Sequence, residues 1–169
     1  MIEFLIDIRQ HIIYVILGLF GILFISFFLF FKSKQIVKVL IGIGTLFLIA
    51  IFTMLLNVAI KDLLRSEIKD MAELALNTES RILINGKDLN IDSDQLLIDL
   101  AKIDGFYFTN KSERQTAFLV RILTKNDTLD VKLMRDSKRP EKYWTFLPKY
   151  DFELELDLIE THVFNGINE

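Results

Sequence analysis

The sequence predicts a membrane-anchored α+β protein, with an N-terminal two-helix transmembrane hairpin followed by a small antiparallel-sheet domain carrying one or two helices. Three observations lead there. Residues 12–31 and 39–60 are long apolar runs. Only a short lysine-bearing link joins them. From residue 105 onward, apolar and polar residues alternate with a period of two, the pattern of strands with one buried face.

Each apolar run is long enough to cross a hydrocarbon core of about 30 Å as a helix. A cleaved signal peptide fits the first run poorly, because its apolar part is too long and no A-x-A-like site follows it. The link holds Lys32, Ser33, Lys34 and Gln35, with Lys38 one turn into the second helix. So short a link makes the helices antiparallel neighbours and puts both termini on one side of the membrane.

The positive-inside rule chooses that side by counting Lys and Arg near the helix ends. The tip offers Lys32, Lys34 and Lys38, and the opposite side offers Arg9, Lys61, Arg65 and Lys69. The count is nearly even. Because the soluble domain carries no export or disulfide signal, the expectation is a multi-pass protein of the bacterial inner membrane with both termini, and that domain, in the cytoplasm.

Within the second helix Gly42, Ala50, Thr53 and Asn57 follow one stripe, and Gly18, Gly21 and Ser26 offer a facing set on the first. Small and weakly polar residues let helices approach closely and hydrogen-bond. The stripe packs the hairpin on itself or also drives homo-oligomers. Neither run contains an acid, base or His, which argues against a proton relay.

The helical period continues past Lys61. Leu64, Ile68, Met71 and Ala75 share a face, so residues 61–77 read as an amphipathic stalk, suited either to subunit association or to resting on the domain beneath it. The soluble domain follows at 78–169. Asn85-Gly86 suits a tight turn. "DSDQLLIDLAKI" reads as a helix capped by Asp92 or Ser93, with Gln95 placed for a capping box, an apolar face of Leu96, Leu97, Leu100 and Ile103, and Gly105 as its stop. "GFYF", "TAFLVRIL", "LDVKLM", "YWTFL" and "FELELDL" are strand candidates, the second and third joined by "TKNDT" as a hairpin.

Charge is split along the chain. The first 60 residues hold four basic and two acidic side chains, leaving 16 basic and 21 acidic for the remainder of the chain's 20 and 23. A mildly acidic domain gives no case for nucleic acid as a partner. The chain has no cysteine and only two histidines, His11 and His162, which rules out disulfides, cysteine nucleophiles and a His-based metal site. No phosphate-binding loop or nucleophile elbow occurs. The expectation is a protein that is not an enzyme and uses no cofactor or metal.

Two local patterns remain. Glu153, Glu155 and Asp157 alternate with leucines, placing three carboxylates on one face of a strand, either as a solvated face or as a cation or acid/base site. The segment 131–150 gathers Lys132, Arg135, Lys138, Arg139, Lys142 and Lys149 beside Tyr143, Trp144 and Tyr150. Such a set fits a nucleotide, phosphate or anionic-lipid site, with guanidinium on phosphate and rings on a base. The same residues fit a solvated loop with Trp144 and Phe146 anchored in the core.

In its order of elements the chain resembles the two-transmembrane, β-rich effectors of bacterial anti-phage defence. The resemblance implies a cytoplasmic β-rich sensor and helices that assemble to damage the inner membrane. It transfers no residue roles, and the stalk and the helix at 93–103 depart from a closed sensor barrel. The expected function is a non-enzymatic membrane-anchored sensor or effector that contacts membrane lipid and self-associates. The alternative is an anchored accessory or immunity protein whose domain docks a partner protein.

Overall fold

The structure, a computed structural model, describes Gly18 and residues 36–103, 113–150 and 155–165. The first apolar run apart from Gly18, with Gly21 in it, Lys32, Lys34, the strand candidate at 105–108, Gly105 and Glu153 lie outside the described residues. The fold is α+β: one long apolar helix, a second short helix and an antiparallel five-stranded sheet. Two compact units are present, Met1–Lys61 and Asp62–Glu169.

Helix α1 spans Ile36–Asn77, 42 residues, or about 63 Å at the usual rise. Within it Phe47–Asn77 is the one helix among the described residues that is long and apolar enough to cross a membrane. Phe47, Leu48, Ile51, Phe52, Met54, Leu55 and Val58 are all exposed, between 40% and 69%. Burying a side chain of this kind is worth about 1.5–3 kcal/mol. Seven of them half-exposed to water would therefore forgo on the order of 10 kcal/mol, a loss that a lipid environment removes.

From Asp62 onward α1 belongs to the second unit and turns amphipathic. Leu64, Ile68, Met71, Ala72 and Ala75 are buried, three or four residues apart as one helical face requires. Residues 62–77 are thus built into the core of the domain. The helix ends where polar side chains take over its last carbonyls: Asn77 Nδ2 donates to Glu73 O at 2.8 Å, Thr78 Oγ1 to Leu74 O at 2.7 Å and Ser80 Oγ to Ala75 O at 2.9 Å.

Strand β1 (Ser80–Ile84) runs into Asn85 and Gly86, whose φ angles of 52° and 77° make the expected tight turn. Ile84 and Lys87 exchange two backbone hydrogen bonds across it. Asn85 Oδ1 also accepts from Leu119 N at 2.8 Å, tying the turn to the neighbouring strand. Helix α2 (Ser93–Ala101) starts at Asp92, whose carboxylate accepts from Gln95 N at 3.0 Å. The capping box is only half made, because the Gln95 side chain donates to Asp99 Oδ1 at 2.7 Å instead of returning to the cap. The helix also stops before Gly105: Lys102 N bonds Asp99 O and Ile103 N bonds Leu100 O, a tightened last turn that needs no glycine.

Strands β2 (Arg114–Thr124), β3 (Thr128–Asp136), β4 (Lys142–Phe146) and β5 (Asp157–Glu160) follow, and the sheet order is β1-β2-β3-β4-β5. Every neighbouring pair is antiparallel. The registers align buried residues in rows across one face: Ile82, Ile122 and Leu129; Ile84, Val120 and Val131; Phe118, Leu133, Thr145 and Asp157. Directly opposed residues share a face, so this is the core side, and the last row ends in a threonine and an aspartate.

The sequence expectation is corrected for 155–158, the described part of that candidate strand. Strand β5 begins only at Asp157, and Leu156, Asp157, Leu158 and Ile159 are all buried. Thr145 is in register with Asp157 while its carbonyl accepts from Leu156 N at 3.0 Å. Four consecutive buried residues break the strict alternation. Glu155 and Asp157 therefore do not share a solvated face: Asp157 faces the core, and Glu155 pairs with Arg114 at 2.7 Å.

Candidate functional site

The segment from β3 to the residues after β4 holds the basic and aromatic residues, and the structure separates them by role. Tyr143, Trp144 and Phe146 are buried at 0%, 5% and 3% exposure. Their alternation sends Tyr143 to the core face and Trp144 and Phe146 to the other, where these two cluster with Leu158 and Met134. Tyr143 and Trp144 are thus core anchors rather than open stacking platforms.

Arg135 is held as firmly as the rings. Its Nε donates to the Tyr143 hydroxyl at 3.0 Å, Nη2 donates to Phe164 O at 3.3 Å, and the guanidinium lies 5.8 Å and 5.5 Å from the Phe118 and Tyr143 centroids. Phe164 stacks on Phe118 at 4.5 Å. This cation and three rings fasten the turn at 163–165 to the sheet.

The loop at 137–141 is organised by Asp136, which is fully buried. Its Oδ1 accepts from the backbone of Lys138 and Arg139 at 2.9 and 3.0 Å, and its Oδ2 from Arg139 Nη2 at 3.3 Å. Lys142 faces Glu160 at 3.8 Å across the β4–β5 pair. Lys132 lies 5.9 Å and Arg114 5.0 Å from the Phe146 ring. Lys138 is exposed. The candidate residues thus occupy one end of the sheet on both of its faces, with most of their charge directed to partners inside the domain.

The helix-packing candidates on α1 are partly described. Thr53 and Asn57 are half-buried, and both hydrogen-bond back within their own helix, Thr53 Oγ1 to Ile49 O at 2.8 Å and Asn57 Nδ2 to Thr53 O at 2.9 Å. Ala50 is exposed, Gly42 lies within α1, and a Cβ built on Gly18 meets no atom within 4 Å. Thr53 and Asn57 thus each have a hydrogen-bond partner within α1.

The second polar centre was not singled out from the sequence: the joint between α1 and the segment after β4. Glu67 accepts from Tyr150 Oη at 2.6 Å and Lys149 Nζ at 3.1 Å. Burial first and the Glu67 carboxylate second push the Tyr150 phenol up to about 12, and the bond to Glu67 also raises Lys149. Two residues earlier, Arg65 donates to Asp62 Oδ1 and to Leu156 O, both at 2.8 Å, and approaches Asp157 at 3.9 Å. Arg65 and Glu67 stand beside the apolar stripe of Leu64 and Ile68, which is the sequence signal available; Leu156 and Lys149, their partners across the joint, are more than 80 positions away.

Among the described residues no group of three or more His, Asp or Glu side chains could hold a metal ion. Compared with known proteins, the chain matches no family model, no curated protein and no solved structure.

Proposed function

We propose that this chain is a non-enzymatic, membrane-anchored sensor or effector of the bacterial inner membrane. Its helical hairpin anchors and self-associates, and its cytoplasmic sheet domain receives the signal. The observation that carries this reading is the run of seven exposed apolar side chains on α1 between Phe47 and Val58, on a helix long enough to span a bilayer. In this reading the apolar run at 12–31 is the second span of the hairpin, and the link at 32–35 together with Lys38 makes its headgroup contacts.

Overexpression, or triggering with a panel of nucleotides, is expected to depolarise cells, and Gly42→Leu is expected to relieve it. Unchanged membrane potential under every trigger refutes the effector reading. A reporter fused after Glu169 tests the orientation: alkaline phosphatase activity there would place the sheet domain outside.

A second reading, the anchored accessory or immunity protein whose domain docks a partner protein, is favoured by the burial of Tyr143 and Trp144. Without those rings as platforms a base loses its stacking surface, and the exposed lysines fit acidic protein or phosphate instead. A nucleotide-dependent change of oligomeric state in detergent supports the sensor; stoichiometric capture of one partner by a nucleotide-indifferent monomer supports docking.

A further inference from the structure

Three polar atoms at or beside the joint between α1 and β5 have no hydrogen-bond partner among the described residues: Arg65 Nε, Asp157 Oδ2 and, on the strand opposite, Thr145 Oγ1. All three are buried. The Asp157 side chain is 3% exposed, Thr145 is 0% and the Arg65 side chain is 16%.

Their placement follows from the fold. Thr145 and Asp157 are opposed across β4 and β5 and so share the core face, with Cβ atoms about 5 Å apart. Arg65 reaches Asp157 from α1, its Nε 3.9 Å from Asp157 Oδ2. The other polar atoms of both charged groups are engaged: Asp157 Oδ1 accepts from Leu158 N at 2.8 Å, and the two terminal nitrogens of Arg65 donate to Asp62 and Leu156.

A separation of 3.9 Å is too long for a direct hydrogen bond and is the kind of gap that a water spans. Two atoms each about 2.8 Å from one water oxygen stand at most about 5.6 Å apart, so the gap fits. The chemistry of the set selects the ligand. Arg65 Nε only donates, Asp157 Oδ2 only accepts, and the Thr145 hydroxyl does either. An anion would meet the aspartate and a cation the arginine, whereas a water, donating to one and accepting from the other, satisfies all three. Three partners is the usual number for a buried water.

We propose that Arg65, Thr145 and Asp157 form a binding site for a single internal water, which completes the polar joint between the long helix and the edge strand. The variant Thr145→Val separates the two states of the site by sign. With the water in place, Val removes one of its three partners, and the melting temperature of the full chain in detergent is expected to fall by about 3 °C. With a dry site, Val removes an orphaned hydroxyl from the core at equal volume, which leaves the melting temperature unchanged or raises it; that result overturns the proposal. Wild-type protein gives a second readout, independent of whether the variant folds. Magnetisation transfer from a long-lived water to the Thr145 methyl protons is expected, and its absence overturns the site.

Discussion

Replacing Tyr150 by Phe removes one hydroxyl and leaves the buried ring, 7% exposed as a residue, in place. The lost bond is the 2.6 Å donation to Glu67 Oε2. A hydrogen bond to a charged acceptor contributes about 1.5–3 kcal/mol. Glu67 keeps its contact with Lys149 and is 23% exposed, so the low end applies, about 1.5 kcal/mol, or a melting temperature lower by about 3–6 °C.

The effect also carries a pH signature. The folded phenol is pushed up to about 12, above its ordinary value of about 10. A group whose folded pKa is raised stabilises fully below the unfolded value and loses that contribution as pH rises through the folded one. The gap between wild type and Tyr150→Phe should therefore be constant up to about pH 9 and close between about pH 10 and 12. Urea titrations of the full chain in detergent across that range read both parts. Equal midpoints near neutrality, or a gap that widens with pH, would refute the reasoning.

Two other variants probe the frame of the domain. Ile68→Ala truncates a side chain that is 0% exposed on the α1 face and is expected to cost about 3 kcal/mol by denaturant titration; a loss under about 0.5 kcal/mol would mean that residues 62–77 stand free of the core. Gly86→Ala puts a Cβ on a residue with φ 77° that has open space around it, so backbone strain alone sets the cost, about 1–2 kcal/mol, readable as a lower melting temperature.

Much of the α+β domain was legible because its elements obey local rules. The apolar face of α2, the Asn85-Gly86 turn and the hairpin of β2 and β3 each follow from spacing within a dozen residues. The basic and aromatic segment was legible only in composition. Which rings face solvent depends on what covers each side of β4, and Tyr143 and Trp144, on opposite faces, are both covered. Alternation reads one strand and one face, so it placed Asp157 among solvated carboxylates. Its register opposite the buried Thr145 and a helix more than 90 positions earlier in the chain put it on the core side.

By itself the sequence determined where the apolar length lies, that the rest alternates as strands, and that cysteine and clustered-histidine chemistry are missing, since these depend on residue type and short spacing. Only the tertiary structure decided that residues 62–77 belong to the core, that the predicted stacking rings are anchors, and that Arg65 reaches Asp157 where it stands opposite Thr145. Those are contacts between residues far apart in the chain, formed because a long helix and an edge strand must bury their apolar faces together and bring along the polar side chains beside them.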